Sequence, residues 1–260
     1  MARESPFDGW RDELAIFGLA VQFLTRLPVP HNLPFSDARL LRATRYYPAV
    51  GLLVGGIGAA VLLGAAAVLP WPVAVLLSIA ATAIATGGFH EDGLADAADG
   101  LGGGASRDRA LEIMRDSRLG SYGALALGLT LALKAAALMA LSPGAAAWAV
   151  LLAHGISRYA PVAVVARCDY ARDEGAKFAA PTVSAAGHGV ALATMAALAL
   201  ALALSLGPGA AVTGIAGGAA LAAVFARIYL RKLGGYTGDC LGATQQMAEL
   251  GLLLGVAAWA

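Results

Sequence analysis

Two long stretches of this sequence contain no Asp, Glu, Lys or Arg, over residues 46–90 and residues 178–226. A transmembrane helix needs about 20 apolar residues, so each stretch has room for two. Charged residues make up only 13% of the chain and the mean hydropathy is +0.71. This composition excludes intrinsic disorder and leaves too few polar groups to cover a water-soluble globule. The sequence therefore predicts an all-α, polytopic integral membrane protein.

Proline-containing turns at residues 69–72, 141–144 and 206–209 divide the apolar stretches into helical hairpins. We predict about seven transmembrane helices, over residues 48–69, 73–89, 119–141, 145–165, 188–206, 210–226 and 241–259. With the segments that connect them, these helices form a single membrane-embedded domain over residues 1–260.

Residues 1–45 are predicted to be a cytoplasmic and interfacial segment. Within residues 11–27, apolar side chains recur at helical spacing. Arg11 and Arg26 bracket this run, which is too short to span a bilayer. We therefore expect an amphipathic helix at the membrane surface.

The Lys and Arg residues define one face of the predicted bundle. All but two of the eighteen lie outside the membrane helices and the hairpin turns, the exceptions being Lys134 and Arg158. By the positive-inside rule this face is cytoplasmic. Trp71, Trp148 and Trp259 fall at the opposite interface, where an aromatic belt is expected. The net charge of +1 offers no basic field for nucleic acid.

The segment over residues 90–118 is predicted to be an acidic catalytic loop on the cytoplasmic side. Asp92, Asp96 and Asp99 are four and three residues apart, so on a helix they share one face. Such carboxylates repel one another unless a cation lies between them, and hard oxygen ligands suit Mg²⁺ or Mn²⁺ bridged to substrate phosphates. Glu91 is a further candidate metal ligand on another side of the helix. The competing interpretation is a solvated acidic face.

Cationic side chains follow at the entry to the third predicted helix. Arg115 and Arg118, with Asp116 between them, could clamp phosphate oxygens. His90 could hydrogen-bond a carboxylate or lie at the interface, and Lys177 could contact an anion or mark the inner face. A metal cluster beside arginines is typical of a phosphoryl- or nucleotidyl-transfer site.

Ionisable residues also occur inside the predicted membrane helices, where they are functional candidates. Asp239 and Glu249 fall on one side of the last helix. Glu249 either belongs to the site or pairs with Lys134 or Arg158, and both interpretations stay open. Arg158 could also reach the site directly, whereas Lys134 is interpreted as structural.

Four ordered motifs make the chain resemble the cobalamin synthase family, the adenosylcobinamide-GDP ribazoletransferases, over nearly its whole length. They are residues 22–30 (QFLTRLPVP), 90–100 (HEDGLADAADG), 114–120 (MRDSRLG) and 237–243 (TGDCLGA). Glu91 departs from the family pattern, in which an apolar or variable residue is expected. The resemblance implies a bacterial inner-membrane enzyme that joins adenosylcobinamide-GDP to α-ribazole or its 5′-phosphate, releases GMP and requires Mg²⁺.

The resemblance and the residues suggest one mechanism. Asp92, Asp96 and Asp99 would hold Mg²⁺ on the diphosphate of the activated substrate, and the arginines would bind phosphate oxygens. Asp96 or Asp239 would take the proton of the attacking 5′-hydroxyl.

Two other functions are also compatible with the sequence. The first is another Mg²⁺-dependent membrane phosphotransferase of the CDP-alcohol type, although its D-x-x-D-G-x-x-A-R motif is incomplete here. The second is a secondary transporter with an ion path through Glu249, Lys134 and Arg158, for which polar residues at the midplane of broken helices are expected. The sequence leaves the oligomeric state open, including a homo-oligomer.

Overall fold

The computed structural model describes residues 9–116, 118–171 and 182–260. Within these ranges the chain is helical and contains no strand, only an isolated bridge between Tyr170 and Tyr236. The helices are α1 (Gly9–Leu24), α2 (Asp37–Ala43), α3 (Tyr47–Ala66), α4 (Trp71–Thr86), α5 (Phe89–Gly103), α6 (Arg107–Ile113), α7 (Ser121–Met139), α8 (Pro143–Ser157), α9 (Tyr159–Val165), α10 (Ala185–Leu206), α11 (Pro208–Leu233) and α12 (Gly238–Ala257), with a 3-10 turn (Thr44–Tyr46) between α2 and α3. The predicted all-α class is confirmed.

Fewer helices meet the length and hydropathy expected of a membrane crossing than the roughly seven predicted. Five segments are long and apolar enough to cross a membrane, namely Asp37–Ala66, Ser121–Met139, Pro143–Val165, Ala185–Leu206 and Pro208–Leu233. Helices α4 and α5 pass this test only together, as a pair bent by 89°, so up to six segments of the described residues meet it. Helix α4 has 16 residues and is only about 24 Å long. Helix α12 fails the test because its acidic and amide side chains lower its hydropathy.

The bend between α4 and α5 lies at Gly87 and Gly88. Both have positive φ angles, 69° and 70°, a backbone conformation that glycine adopts without steric cost. The prediction carried the second membrane helix through to residue 89, whereas α4 ends at Thr86 and α5 leaves it almost at a right angle. The acidic segment that connects the predicted membrane helices is itself helical, because its residues form α5 and the short helix α6.

Helix α12 lies in the interior of the bundle, where it packs against α5, α7, α8 and α11. Of its 20 residues, 13 are buried. Small residues allow close approach of the backbones. A Cβ added at Gly251 of α12 would lie 2.6 Å from the carbonyl carbon of Gly217 in α11. The polar side chains of α12 are therefore enclosed by other helices.

The predicted N-terminal helix is present as α1. Its apolar face is buried against the protein, with Ile16, Leu19 and Leu24 in one cluster with Val50 of α3. Trp10, at the start of α1, is 64% exposed. Part of the apolar surface that predicted an interfacial helix therefore packs on the bundle itself.

Candidate active site

The three aspartates of helix α5 lie on one face of the helix but differ in exposure. Asp92 is exposed and Asp96 partly exposed, whereas Asp99 is buried. Asp92 and Asp96 are one helical turn apart and share a face. Of the three aspartates predicted to bind a metal, these two have carboxylates that are accessible to solvent.

The acidic face of α5 lies beside the start of α12. A Cβ added at Gly93 would lie 3.0 Å from the backbone oxygen of Asp239 and 3.3 Å from the Cα of Gly242. A side chain at Gly93 would crowd the backbone of α12, so glycine favours this approach, which brings the first turn of α12 next to the part of α5 that carries Asp92 and Asp96. The Thr237 hydroxyl donates to Oδ2 of Asp239 at 3.3 Å. Two motifs that are far apart in sequence therefore meet here.

Asp99 caps the N-terminus of α7. The backbone amide of Gly120 donates to its Oδ2 at 2.7 Å, and that of Gly123 donates to its Oδ1 at 2.8 Å. A carboxylate at this position satisfies amides that have no partner within the helix and interacts favourably with the helix dipole. Asp99 thereby ties the second half of α5 to the connection that carries Arg115 and Arg118.

The carboxylates do not form a closed metal site by themselves. Within the described ranges, no three His, Cys, Asp or Glu side chains are grouped closely enough to hold a metal ion. Mg²⁺ usually binds through one or two carboxylates, several waters and substrate phosphates. The exposed oxygens of Asp92, with Asp96 and Asp239 nearby, match that donor chemistry. These residues fit Mg²⁺ that arrives with a phosphorylated substrate.

The predicted phosphate clamp lies at the surface between α6 and α7. Arg118 donates from Nε to Oδ1 of Asp116 at 3.0 Å, and its side chain is 87% exposed. Hydrogen bonds from Arg118 lower the pKa of Asp116 to about 2. Arg115 is also exposed. Both guanidinium groups are therefore accessible to an anion near the site.

A buried polar cluster connects the site to the interior of the bundle. Nζ of Lys134 donates to Oε1 of Glu249 and to Oε1 of Gln246, both at 2.7 Å. Nε2 of Gln246 in turn donates to Oε1 of Glu91 at 3.1 Å. Glu249 therefore forms the ion pair with Lys134 that the sequence left open, and Glu91 faces this cluster.

The same cluster extends into α8. Nε2 of Gln245 donates to Oε2 of Glu249 at 2.7 Å and to the Ser157 hydroxyl at 2.9 Å. Nδ1 of His154 lies 3.4 Å from Oε2 of Glu249. Arg158 is 1% exposed and donates from Nη1 to the His154 carbonyl at 2.7 Å. Arg158 is thus enclosed in the bundle, whereas Arg115 and Arg118 are exposed.

Of the two remaining candidates, His90 is described and Lys177 lies outside the described residues. His90 is 4% exposed. A Cβ added at Gly242 of α12 would lie 3.4 Å from the Cα of His90, and its ring packs edge-on against Phe89 at 5.3 Å. His90 therefore belongs to the contact between α5 and α12.

One arginine outside the predicted site has a specific structural position. Arg107, at the start of α6, donates to the carbonyl of Leu233 at 2.9 Å and to that of Ala171 at 2.6 Å. It joins the end of α11 to the connection that follows α9. Nothing in the sequence pattern distinguishes Arg107 from Arg109, which pairs with Glu112 at 2.6 Å on the surface.

Comparison with known proteins identifies the family. The family described as Cobalamin-5-phosphate synthase matches residues 16–257. A protein named adenosylcobinamide-GDP ribazoletransferase from Leptothrix cholodnii is 51% identical over 251 residues, which cover 94% of this chain and 95% of that protein. Proteins of the same name from Ralstonia nicotianae and Shewanella amazonensis are 46% and 42% identical, each over 93% of this chain and 94% of the relative. No solved structure matches the chain. With this match over almost its entire length, the chain belongs to the cobalamin-5-phosphate synthase family.

Proposed function

We propose that this protein is a membrane enzyme that transfers adenosylcobinamide phosphate from adenosylcobinamide-GDP to α-ribazole or its 5′-phosphate, with release of GMP. The observation that carries the proposal is the contact between α5 and α12 at Gly93 and Gly242. It gathers Asp92, Asp96 and Asp239, which come from two separate family motifs, at one end of the bundle. The names of the relatives supply the substrate class.

The proposed reaction is a single phosphoryl substitution. A ribose hydroxyl oxygen of α-ribazole forms a bond to the phosphorus on the cobinamide side of the diphosphate. The 5′-hydroxyl expected from the sequence cannot serve for both substrates, because in α-ribazole 5′-phosphate the 5′-oxygen already carries the phosphate. The bond from this phosphorus to the bridging oxygen breaks, and GMP leaves with the electron pair. Asp96 or Asp239 accepts the hydroxyl proton, since both carboxylates lie at the contact between α5 and α12. The Thr237 hydroxyl, which donates to Asp239, orients that carboxylate.

Charge on the diphosphate is balanced from two sides in this proposal. Asp92 and Asp96 would hold Mg²⁺, which when bound offsets negative charge on the phosphates and on departing GMP. Arg115 and Arg118 bind phosphate oxygens from the connection before α7, which the Asp99 cap keeps next to α5. Arginine suits this role because its planar group donates two parallel hydrogen bonds.

We place the site at the cytoplasmic face of a bacterial inner membrane. Asp239 lies in the first turn of α12, and Trp259, which is 63% exposed, follows the last turn. A helix of 20 residues is about 30 Å long, so the site and the exposed Trp259 lie at opposite ends of the bundle. The positive-inside rule assigns the charged end to the cytoplasm.

The test of this function uses purified protein with adenosylcobinamide-GDP and α-ribazole, with and without Mg²⁺, and measures GMP and cobamide. We expect Asp92→Asn and Asp96→Asn each to reduce GMP release by about 100-fold. Asp108→Asn is the matched control, because the Asp108 side chain is 91% exposed on α6, and it should retain activity. Near-normal Mg²⁺-dependent release by both site variants would refute the assignment, and substrate flux across vesicles without GMP release would favour a transporter.

A further inference from the structure

The buried cluster around Glu249 contains more positive than negative charge unless Glu91 is included. Lys134 and Arg158 are 3% and 1% exposed, and Glu249 is 4% exposed. His90 and His154 border the cluster, but the ordinary pKa of histidine, about 6.5, gives them no fixed charge. A buried charge without a counter-charge is strongly destabilising. One more carboxylate is therefore needed to balance the second cation.

Glu91 supplies that carboxylate. Its Oε1 accepts the hydrogen bond from Gln246, whereas Oε2 is buried and has no hydrogen-bond partner among the described residues. Arg158 interacts electrostatically with both Glu249 and Glu91. Neighbouring residues on a helix point about 100° apart, so Glu91 faces the cluster while Asp92 faces solvent.

The hydrogen bond that Gln246 donates to Glu91 also fixes the start of α5. This helix follows the bend at Gly87 and Gly88, and its N-terminus has no side-chain cap. Gln246 ties the first turn of α5 to the Lys134–Glu249 ion pair. Asp92 is the next residue after Glu91, so the tether also sets the position of the acidic face.

We propose that Glu91 is a positioning residue and not a metal ligand. Its carboxylate neutralises the buried cluster, and its hydrogen bond with Gln246 holds α5 so that Asp92 and Asp96 stay beside the start of α12. This inference rests on the proposed function for the role of Asp92 and Asp96, whereas the charge balance does not depend on it.

The test compares Glu91→Gln, which keeps the hydrogen-bond acceptor and loses the charge, with Glu91→Ala, which loses both. In EDTA, both variants should lower the apparent Tm by about 5 °C or more. At saturating Mg²⁺ and a temperature where the proteins are folded, Glu91→Ala should lower kcat by about tenfold or more with little change in KM, because the acidic face is misplaced. Glu91→Gln should recover most of that kcat. Neither should raise the Mg²⁺ concentration for half-maximal activity by more than about twofold.

A double variant isolates the charge balance. Lys134→Gln in the Glu91→Gln background leaves Arg158 and Glu249 as a pair of opposite charges. The decrease in Tm of the double variant should therefore be smaller than the sum of the decreases in the two single variants. Additive or larger losses would overturn the role as counter-charge. A Glu91→Gln variant with the wild-type Tm in EDTA and a tenfold higher Mg²⁺ requirement would identify Glu91 as a ligand instead. If wild-type protein released no GMP, the proposed function would fail, and the comparison of Tm values in EDTA would still decide the charge balance.

Discussion

Asp99 accepts hydrogen bonds from the amides of Gly120 and Gly123, so its replacement should destabilise the start of α7. An amide that loses its acceptor in a buried setting costs about 1–3 kcal/mol. Asp99→Ala removes the acceptor of two amides and should therefore lower the free energy of unfolding by about 2–6 kcal/mol. Asp99→Asn keeps one carbonyl oxygen and should cost about half as much.

Thermal denaturation of purified protein in detergent and EDTA measures this effect. For a chain of this size about 1 kcal/mol shifts Tm by 2–4 °C, so Asp99→Ala should lower the apparent Tm by about 10 °C at a fixed heating rate. Asp108→Ala on α6 is the control and should leave Tm unchanged, because Asp108 is exposed.

The Mg²⁺ requirement separates a cap from a metal ligand. If Asp99 acts as a cap, Asp99→Asn should lower Tm and leave the Mg²⁺ concentration for half-maximal GMP release within about twofold of wild type, since Asp92 and Asp96 are intact. A wild-type Tm in EDTA, combined with a tenfold higher Mg²⁺ requirement, would refute this reasoning and restore Asp99 to the metal site.

Two further predictions follow from the ion pairs. Lys134→Met leaves Glu249 buried without its cation and should cost about 3–5 kcal/mol in the free energy of unfolding; Lys134→Met combined with Glu249→Gln should recover part of the loss, and purely additive losses would contradict the pairing. Asp116 has a lowered pKa of about 2 in the fold against an ordinary value of 3.8, so its contribution to stability is present above about pH 4 and is lost as the pH falls toward 2. Carbon NMR of the Asp116 carboxyl should show this titration, and Arg118→Gln should return the pKa toward 3.8; an unchanged pKa in that variant would assign the shift to another cause.

Most of the helices could be predicted from the sequence, because membrane helices leave long apolar runs between prolines and charged connections. The angle between α4 and α5 could not. Apolar residues continue through Gly87, Gly88 and Phe89, and hydropathy carries no information about φ angles. Helix α12 is less hydropathic than the other predicted membrane helices because enclosure by other helices, and not lipid exposure, accommodates Glu249 and its amide neighbours.

The candidate site was predictable as a set of segments but not as individual roles. Asp92, Asp96 and Asp99 are equivalent by helical spacing, and what separates them is the pair of α7 amides, 21 and 24 residues later in the chain, that bind only Asp99. Glu91 differs from its neighbours through a contact with Gln246 that spans 155 residues. Such partners depend on tertiary packing, which spacing within one segment does not report.

The buried ion pair also has a consequence for the order in which the bundle assembles. Lys134 precedes its partners Gln246 and Glu249 by 112 and 115 residues. At synthesis rates of roughly 5–20 residues per second, Glu249 is made roughly 6–23 s after Lys134. During this interval α7 carries a cation that disfavours insertion into the hydrocarbon core. Stable docking of α7 in the bundle must therefore wait for α12, and the site that both helices support is completed only after that helix has been synthesised.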